Sequence, residues 1–136
     1  MGEAAFSRVS DIVNVLFDAD TEFACSRLGL LEATAAILRK SRQLSLDESQ
    51  LGSLMNTVRA DFDAFERVQL DESCISRASE VVLKYRLRTM DAIHLASAMS
   101  LGAPGEIVVS ADRELLDAAG REEMVTLDPS SGVNPL

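Results

Sequence analysis

The chain has 136 residues, of which 47% are hydrophobic, and it carries a formal net charge of −9. This length supports one hydrophobic core, and this composition is typical of a globular protein rather than of a disordered one. No apolar run approaches the roughly 18 residues that span a membrane, and the chain does not open on a basic segment followed by an apolar one, so we expect a cytoplasmic protein.

The first third of the chain predicts two helices with a short strand between them. Apolar residues recur at helical spacing over about residues 4–18, and residues 22–25 have the composition of a short strand. Ser26 is expected to cap a second helix, which runs to about residue 40. The apolar side chains of this helix are expected to face the core: Leu28, Leu31, Ala35 and Leu38.

The middle of the chain continues the alternation of helices and strands. A long helix is predicted over about residues 46–65, and a short strand over residues 67–70. Asp71 is expected to cap the helix that follows this strand, because aspartate oxygens accept the free N–H groups of a first turn. Thr89 or a neighbour is expected to cap the next helix, which holds Asp91.

The last part of the chain predicts two further strands around a short helix. Residues 107–110 form a short apolar run, as expected for a strand that is buried on both faces. Asp112 opens a helix that is predicted to end at Gly120, and a final strand is predicted over residues 124–127. The tail over residues 130–136 is small and polar, so we expect it to be flexible.

This order of elements predicts an α/β fold. Strands that are separated by helices pair in parallel, because each crossover returns the chain over the sheet. We therefore expect one helix-rich domain over residues 1–129, with helices on both faces of a short-stranded parallel sheet.

Two acidic residues lie where ligand sites form in α/β folds. Asp91 falls in the first turn of an otherwise apolar helix, and Asp112 follows the apolar run over residues 107–109. The carboxyl ends of strands and the helix starts beside them commonly bind ligands, so these two acids suggest a metal site. An acid at a helix start also accepts backbone N–H groups and complements the helix dipole, and this alternative stays open for both residues.

Basic residues gather at two places in this acidic chain. The two clusters are Arg39, Lys40 and Arg42, and Lys84, Arg86 and Arg88. Local clusters of cations are needed if an acidic protein is to bind nucleic-acid phosphates. Cations are equally typical of helix ends, where they complement the dipole, and charge alone does not separate the two interpretations.

Acidic residues stand in largely apolar surroundings in three stretches, residues 26–33, 87–96 and 109–115, and together these stretches resemble the PIN domain family, especially its VapC-like branch of toxin ribonucleases. Residues 87–96 read Leu-Arg-Thr-Met-Asp-Ala-Ile-His-Leu-Ala and resemble the family's Asp-Ala-Ile-His-Leu-Ala signature. Residues 109–115 read Val-Ser-Ala-Asp-Arg-Glu-Leu and resemble its next acidic motif. Residues 26–33 read Ser-Arg-Leu-Gly-Leu-Leu-Glu-Ala and resemble the helix that brings a glutamate to the same site.

The resemblance implies a three-layer α/β/α fold and a Mg²⁺- or Mn²⁺-dependent endoribonuclease. On the matching positions, Glu32, Asp91 and Asp112 would form the acidic cluster that holds the metal. Hard divalent cations prefer oxygen ligands, and such a cation lowers the pKa of a bound water and neutralises phosphate charge. The resemblance also implies an RNA substrate, an antitoxin protein as partner, and a homodimer.

The sequence departs from the family pattern at its beginning. Family members usually start with a strand that carries an aspartate, and no such pattern precedes Ala4. Three explanations stay open: the chain is shortened, the strand is supplied by another chain or by residues 130–136, or the protein is a family member that no longer cuts RNA. Replacement of the missing acid by Asp11, Asp18 or Asp20 is a further alternative, but these residues are typical of a solvated face. A catalytically inactive PIN-fold protein-binding module is therefore the alternative function.

The remaining candidate side chains have simple structural interpretations. His94 lies one helical turn after Asp91 and on the same side, where it is expected to be a packed, hydrogen-bonded residue; orienting a carboxylate or water is the alternative. Ser26 and Ser110 are expected to cap helices, with the holding of water or substrate as the alternative. Cys25 and Cys74 are too few for a disulfide framework and are expected to be free thiols.

Overall fold

The computed structural model describes residues 22–131, which belong to two compact units. One unit comprises residues 22–70, and the described part of the other comprises residues 71–131. The helix predicted over residues 4–18 lies outside the described residues, as do most of the predicted tail and three acids considered above: Asp11, Asp18 and Asp20.

The unit over residues 22–70 contains two strands and two helices. In chain order they are β1 (Ala24–Ser26), α1 (Gly29–Gln43), α2 (Glu48–Asp63) and β2 (Glu66–Val68). The strands pair in parallel, with Cys25 opposite Arg67. Parallel pairing follows because the two helices carry the chain back to the same edge before β2 begins.

A capping box explains where α2 begins, whereas α1 has no side-chain cap. Asp47 Oδ1 accepts the N–H of Gln50 at 2.8 Å, and Gln50 Oε1 accepts the N–H of Asp47 at 3.0 Å. This reciprocal capping box fixes the start of α2. The predicted cap of α1 is wrong, since Leu28 occupies the N-cap position and Ser26 instead accepts the N–H of Leu28 at 3.2 Å.

Three aromatic rings pack together in this unit, and the packing around Gly29 is tight. The ring of Phe65 lies 5.4 Å from that of Phe23 and 5.0 Å from that of Phe62. Gly29 stands so close to the packed side chains that an added Cβ would lie 3.2 Å from Phe62 Cε1 and 3.3 Å from Cys25 Cβ. Helix α1 therefore begins at a residue where β1 and α2 leave only tight space for a side chain.

The predicted burial of α1 is partly wrong. Leu31 is 67% exposed, Leu38 is 40% exposed and Ala35 is also exposed, although all three are expected from the sequence to face the core. The buried residues of this helix are instead Gly29 and Ser41. Helical spacing identifies an apolar stripe, but it does not say whether another element covers that stripe.

The unit over residues 71–131 contains three helices and two strands. In chain order the elements are α3 (Glu72–Tyr85), α4 (Thr89–Leu101), β3 (Ile107–Val109), α5 (Arg113–Arg121), β4 (Val125–Leu127) and a 3₁₀ turn (Pro129–Ser131). Strands β3 and β4 pair in parallel, with Val108 opposite Thr126. The helix α5 is the crossover between them, as the sequence predicts.

The core of this unit is built on α4. Leu95 and Ala96 are fully buried, as are Ala119 from α5 and, to within 1%, Cys74 from α3. A helix that is apolar around much of its circumference is typical of a central element with neighbours on more than one side. Its first turn, which holds Asp91, is therefore anchored by the best-packed part of this unit.

Local signals set the ends of these elements. Asp71 caps α3 as predicted, since its Oδ1 accepts the N–H of Cys74 at 2.8 Å. The N-cap of α4 is Arg88, a neighbour of Thr89 as expected, but its side chain makes no capping hydrogen bond. The strand β3 is not buried on both faces, because Ile107 is 44% and Val109 is 42% exposed.

The α/β class and the parallel pairing of short strands are confirmed. Among the described residues, the strands form two separate two-stranded sheets rather than the single sheet expected from the sequence. Within residues 22–131, no helix is both long and apolar enough to cross a membrane.

Candidate active site

The three acidic residues predicted for the site all lie at helix N-termini. Glu32 is exposed in the first turn of α1, and Asp91 is half-buried in the first turn of α4. Asp112 is the N-cap of α5. The N-terminus of a helix carries partial positive charge, which favours an ionised carboxylate and the anions that approach it.

Asp112 is held in place by bonds on both sides of its Cα. Its backbone N–H donates to Ser110 Oγ at 3.0 Å, and its Oδ1 accepts the N–H of Leu115 at 3.0 Å. Among the described residues, its Oδ2 atom accepts no hydrogen bond, and the side chain is exposed. One oxygen of Asp112 therefore caps the helix while the other is presented to solvent just beyond the carboxyl end of β3.

Ser26 and Ser110 make the same turn at the ends of two different strands. Each hydroxyl oxygen accepts the N–H of the residue two positions later, Leu28 at 3.2 Å and Asp112 at 3.0 Å. This turn redirects the chain from a strand into the following helix. Neither serine caps a helix as expected from the sequence, because the N-cap residues are Leu28 and Asp112, and each serine instead forms the turn that precedes its helix.

The segment that precedes Asp91 differs from the one that precedes Asp112. It follows the loop between two helices rather than a strand, and the N–H of Ala92 donates to the carbonyl of Arg88 at 2.9 Å in the first turn. His94 is half-buried one turn further along α4. The structural role expected for His94 and the catalytic role expected for Asp91 both stay predictions.

The chemistry of these donors suits a divalent cation, but the described residues do not complete a site. Carboxylate oxygens are the ligands that Mg²⁺ and Mn²⁺ prefer. Within residues 22–131, no group of three or more His, Cys, Asp or Glu side chains is close enough together to hold a metal ion. Glu32 belongs to the unit over residues 22–70, whereas Asp91 and Asp112 belong to the other. The metal-binding role of the three acids therefore stays a prediction.

A cluster around Glu122 was not predicted from the sequence. Glu122 Oε2 accepts hydrogen bonds from the Tyr85 hydroxyl and from Lys84 Nζ, the latter at 2.9 Å. The Tyr85 hydrogen bond, with that of Lys84, lowers the pKa of Glu122, and the bond to Glu122 raises the pKa of Lys84. Tyr85 and Lys84 lie 37 and 38 positions before Glu122 in the sequence, so no pattern of neighbouring residues predicts the contact.

A groove of about 530 Å³ lies in the same unit but away from Asp112. Its lining includes Glu106, which precedes β3, and Met124 and Val125, where β4 begins. Burial raises the pKa of Glu106. The groove therefore lies at the amino ends of these strands, whereas Asp112 follows a carboxyl end, and it is not part of the candidate site.

Comparison with known proteins places this chain in a family. The PIN domain family profile matches residues 8–121. Ribonuclease VapC45 of Mycobacterium tuberculosis (strain CDC 1551 / Oshkosh) is 33% identical over 124 residues, which cover 88% of this chain and 86% of that protein. Ribonuclease VapC49 of Mycobacterium tuberculosis (strain ATCC 25618 / H37Rv) is similar to the same extent. These matches confirm the family predicted from residues 26–33, 87–96 and 109–115, and the chain belongs to the PIN domain family.

Proposed function

We propose that this chain is an endoribonuclease that hydrolyses phosphodiester bonds in RNA, and that it is the toxin of a toxin–antitoxin pair. One observation carries the proposal: Glu32, Asp91 and Asp112 occur in the order of the PIN family, each at a helix N-terminus. Two relatives that are 33% identical over most of the chain are named ribonucleases, which supports the same activity.

We assign the catalytic and metal-binding roles to Asp91, Asp112 and Glu32, with Mg²⁺ or Mn²⁺ as the cofactor. Each residue offers carboxylate oxygens at a helix start, and Asp112 presents an oxygen that is not used in capping. Replacing a carboxylate by an amide keeps the shape of the side chain and removes its charge. Such variants therefore test whether activity needs the negative charge, while the start of the helix stays in place.

The direct test is cleavage of a fluorogenic single-stranded RNA in the presence of Mn²⁺. We expect Asp91→Asn to lower the rate by at least about a hundredfold, as for the loss of a group that acts on the reacting atoms. Glu72→Gln is the matched control, because Glu72 is an exposed acid in the first turn of α3. Unchanged cleavage by Asp91→Asn would contradict the assignment of the site.

The alternative function is a catalytically inactive, protein-binding member of the family. It predicts that Mn²⁺ leaves the melting temperature unchanged, whereas a bound metal adds about 2.7 kcal/mol to the free energy of unfolding at a hundredfold excess over its Kd. A Mn²⁺-dependent shift that is lost in Asp112→Asn would argue against the inactive module.

We further propose that the protein forms a homodimer and binds an antitoxin protein. Large apolar side chains are exposed in both units, among them Leu31, Leu44 and Leu83, and exposed apolar surface favours association. Light scattering at several concentrations is expected to give about twice the 14.7 kDa mass of one chain. A mass of one chain at every concentration would rule out the homodimer.

We also propose that residues 1–129 form a single domain. The family match over residues 8–121 covers parts of both compact units, which supports one evolutionary and folding unit. The expected result is one cooperative unfolding transition, measured by both circular dichroism and tyrosine fluorescence. Two separate transitions would show that the units unfold independently.

A further inference from the structure

Helix α1 carries both an assigned catalytic acid and a group of cations. Glu32 is exposed in its first turn, and Arg39, Lys40 and Arg42 are exposed near its end. Seven residues make about two turns, so Glu32 and Arg39 share one face of the helix and lie about 10 Å apart along its axis. Arg42 follows Arg39 by three residues and so lies beside it on the helix surface.

Ser41, which lies between Arg39 and Arg42 in the sequence, shows which side of α1 faces the interior. Ser41 is buried, and its hydroxyl donates to the carbonyl of Leu38 at 2.7 Å. This side of α1 therefore faces the interior of its unit, and Arg39 and Arg42 are turned toward solvent. Both of them lie on the exposed side of the helix, together with Glu32.

Neither guanidinium group is neutralised within the described part of the chain. Among residues 22–131, Arg39 and Arg42 form no side-chain hydrogen bond and no ion pair with another described residue, in contrast to Arg67, which pairs with Asp63 at 3.1 Å. Three of the four residues from 39 to 42 are cationic, and none is acidic. A chain with a net charge of −9 repels a polyanion except where cations gather in this way.

We propose that Arg39 and Arg42 bind phosphate groups of the RNA strand whose scissile bond lies at the Glu32 end of α1. This inference rests on the proposed ribonuclease function. A guanidinium group binds phosphate through two parallel N–H donors, which makes arginine better suited than lysine to hold a strand in one orientation. Glu32 lies at one end of the exposed face of α1 and the two arginines lie at the other. The RNA backbone would therefore run along α1, with its scissile bond near Glu32 and a neighbouring phosphate near the arginines.

The test compares two double variants of the full chain that have the same net charge. Arg39→Gln/Arg42→Gln removes the proposed phosphate contacts. Arg59→Gln/Arg121→Gln removes two exposed arginines elsewhere, one of them from the last turn of α5, so it also matches the loss of a cation from a helix end. Binding of a short fluorescein-labelled single-stranded RNA is measured by anisotropy in EDTA, which prevents metal-dependent cleavage, at several salt concentrations.

We expect the Arg39/Arg42 variant to lose about tenfold in affinity, and the slope of log K against log salt to become shallower by about 1.4, at about 0.7 per phosphate contact. In Mn²⁺-dependent cleavage, the same variant is expected to raise KM and to keep kcat. The Arg59/Arg121 variant is expected to keep the affinity, the slope and both kinetic constants of the unmodified chain.

Two results would overturn the inference, and they are distinguishable. Equal affinity, slope and KM in the two double variants, with RNA cleavage intact, would mean that Arg39 and Arg42 serve only the helix dipole. A chain that neither binds nor cleaves RNA would overturn the proposed function, and this inference with it.

Discussion

The carboxylate of Asp112 accepts a hydrogen bond from the backbone N–H of Leu115 at 3.0 Å, so one side chain both caps α5 and presents an acid beyond β3. The two roles use different oxygen atoms, because only Oδ1 is engaged in the cap. Substitutions that keep or remove the cap therefore separate the structural role from the catalytic one.

Asp112→Asn and Asp112→Ala are expected to differ in stability but not in activity. Asparagine is as good an N-cap as aspartate, whereas alanine costs about 1 kcal/mol in the free energy of unfolding. Both variants lack the carboxylate, so both are expected to lose RNA cleavage. Urea denaturation gives the first quantity, and cleavage of a fluorogenic RNA gives the second.

Asp71→Ala is the control for that prediction. Asp71 caps α3 through Oδ1, which accepts the N–H of Cys74 at 2.8 Å, and we assign it no role in the site. Its loss is expected to cost a similar free energy of unfolding and to leave cleavage unchanged. Full activity in Asp112→Asn would contradict the catalytic assignment of Asp112, whatever the stability of the variant.

Alanine is expected to have opposite effects at two helical glycines. Gly29→Ala should destabilise the protein by about 1 kcal/mol, because the new Cβ would meet Phe62 Cε1 at 3.2 Å and Cys25 Sγ at 3.3 Å. Gly52→Ala should stabilise it by about 0.5–1 kcal/mol, because this position in α2 has no atom within 4 Å of an added Cβ and alanine favours the helix. Thermal unfolding of both variants checks the pair. A stabilising Gly29→Ala would show that the ring of Phe62 moves aside easily.

Arg86 ends α3 in a left-handed conformation, with φ of 58°. Glycine adopts this conformation without the steric cost that a Cβ imposes. Arg86→Gly is therefore expected to be more stable than Arg86→Ala by about 1 kcal/mol, measured by urea denaturation. Both variants lack the arginine side chain, so their difference isolates the backbone. Equal stability of the two would contradict the left-handed end of α3.

The cluster around Glu122 predicts a dependence of stability on pH. The hydrogen bond from Tyr85, and then that from Lys84, lower the pKa of Glu122 in the folded protein. A group whose pKa is lowered by folding adds stability above its unfolded pKa, and this contribution is lost as pH falls through the folded value. The stability difference between the unmodified chain and Glu122→Gln should therefore be largest at neutral pH and shrink in acid.

Thermal unfolding of both proteins across the acid range measures this difference. Tyr85→Phe removes the larger cause of the pKa shift and should make the difference smaller. A stability difference that stays constant from neutral to acid pH would show that the Tyr85 and Lys84 contacts do not act on the charge of Glu122.

Signals that act within a few residues were predictable from the sequence. Asp71 and Asp112 were identified at the starts of their helices because an N-cap needs only a side-chain oxygen and the next turn. The sequence did not locate the start of α1. Ser26 Oγ accepts the N–H of Leu28, two positions later, instead of capping the helix. The helix begins at Gly29, where neighbouring side chains leave little space for a Cβ. Such a steric requirement depends on Phe62, which is distant in the sequence.

Burial and long-range contacts were less predictable. The spacing of Leu31 and Leu38 marks a stripe on α1, but only the arrangement of the other elements decides whether a stripe is covered. The contact of Glu122 with Tyr85 likewise depends on how α3 and α5 are packed. Asp91 and Asp112 were candidates because of their positions at a helix start and after a strand, and Glu32 because of a family motif. Neither kind of signal gives the distances between the three acids.

The most direct measurement of the central claim is Mn²⁺-dependent cleavage of single-stranded RNA by the full chain, with Asp91→Asn and Glu72→Gln beside it. We expect cleavage by the unmodified chain and by Glu72→Gln, and a loss of at least about a hundredfold in Asp91→Asn. Cleavage that persists in Asp91→Asn, or its absence from the unmodified chain, would contradict the assignment of a ribonuclease site to these acids.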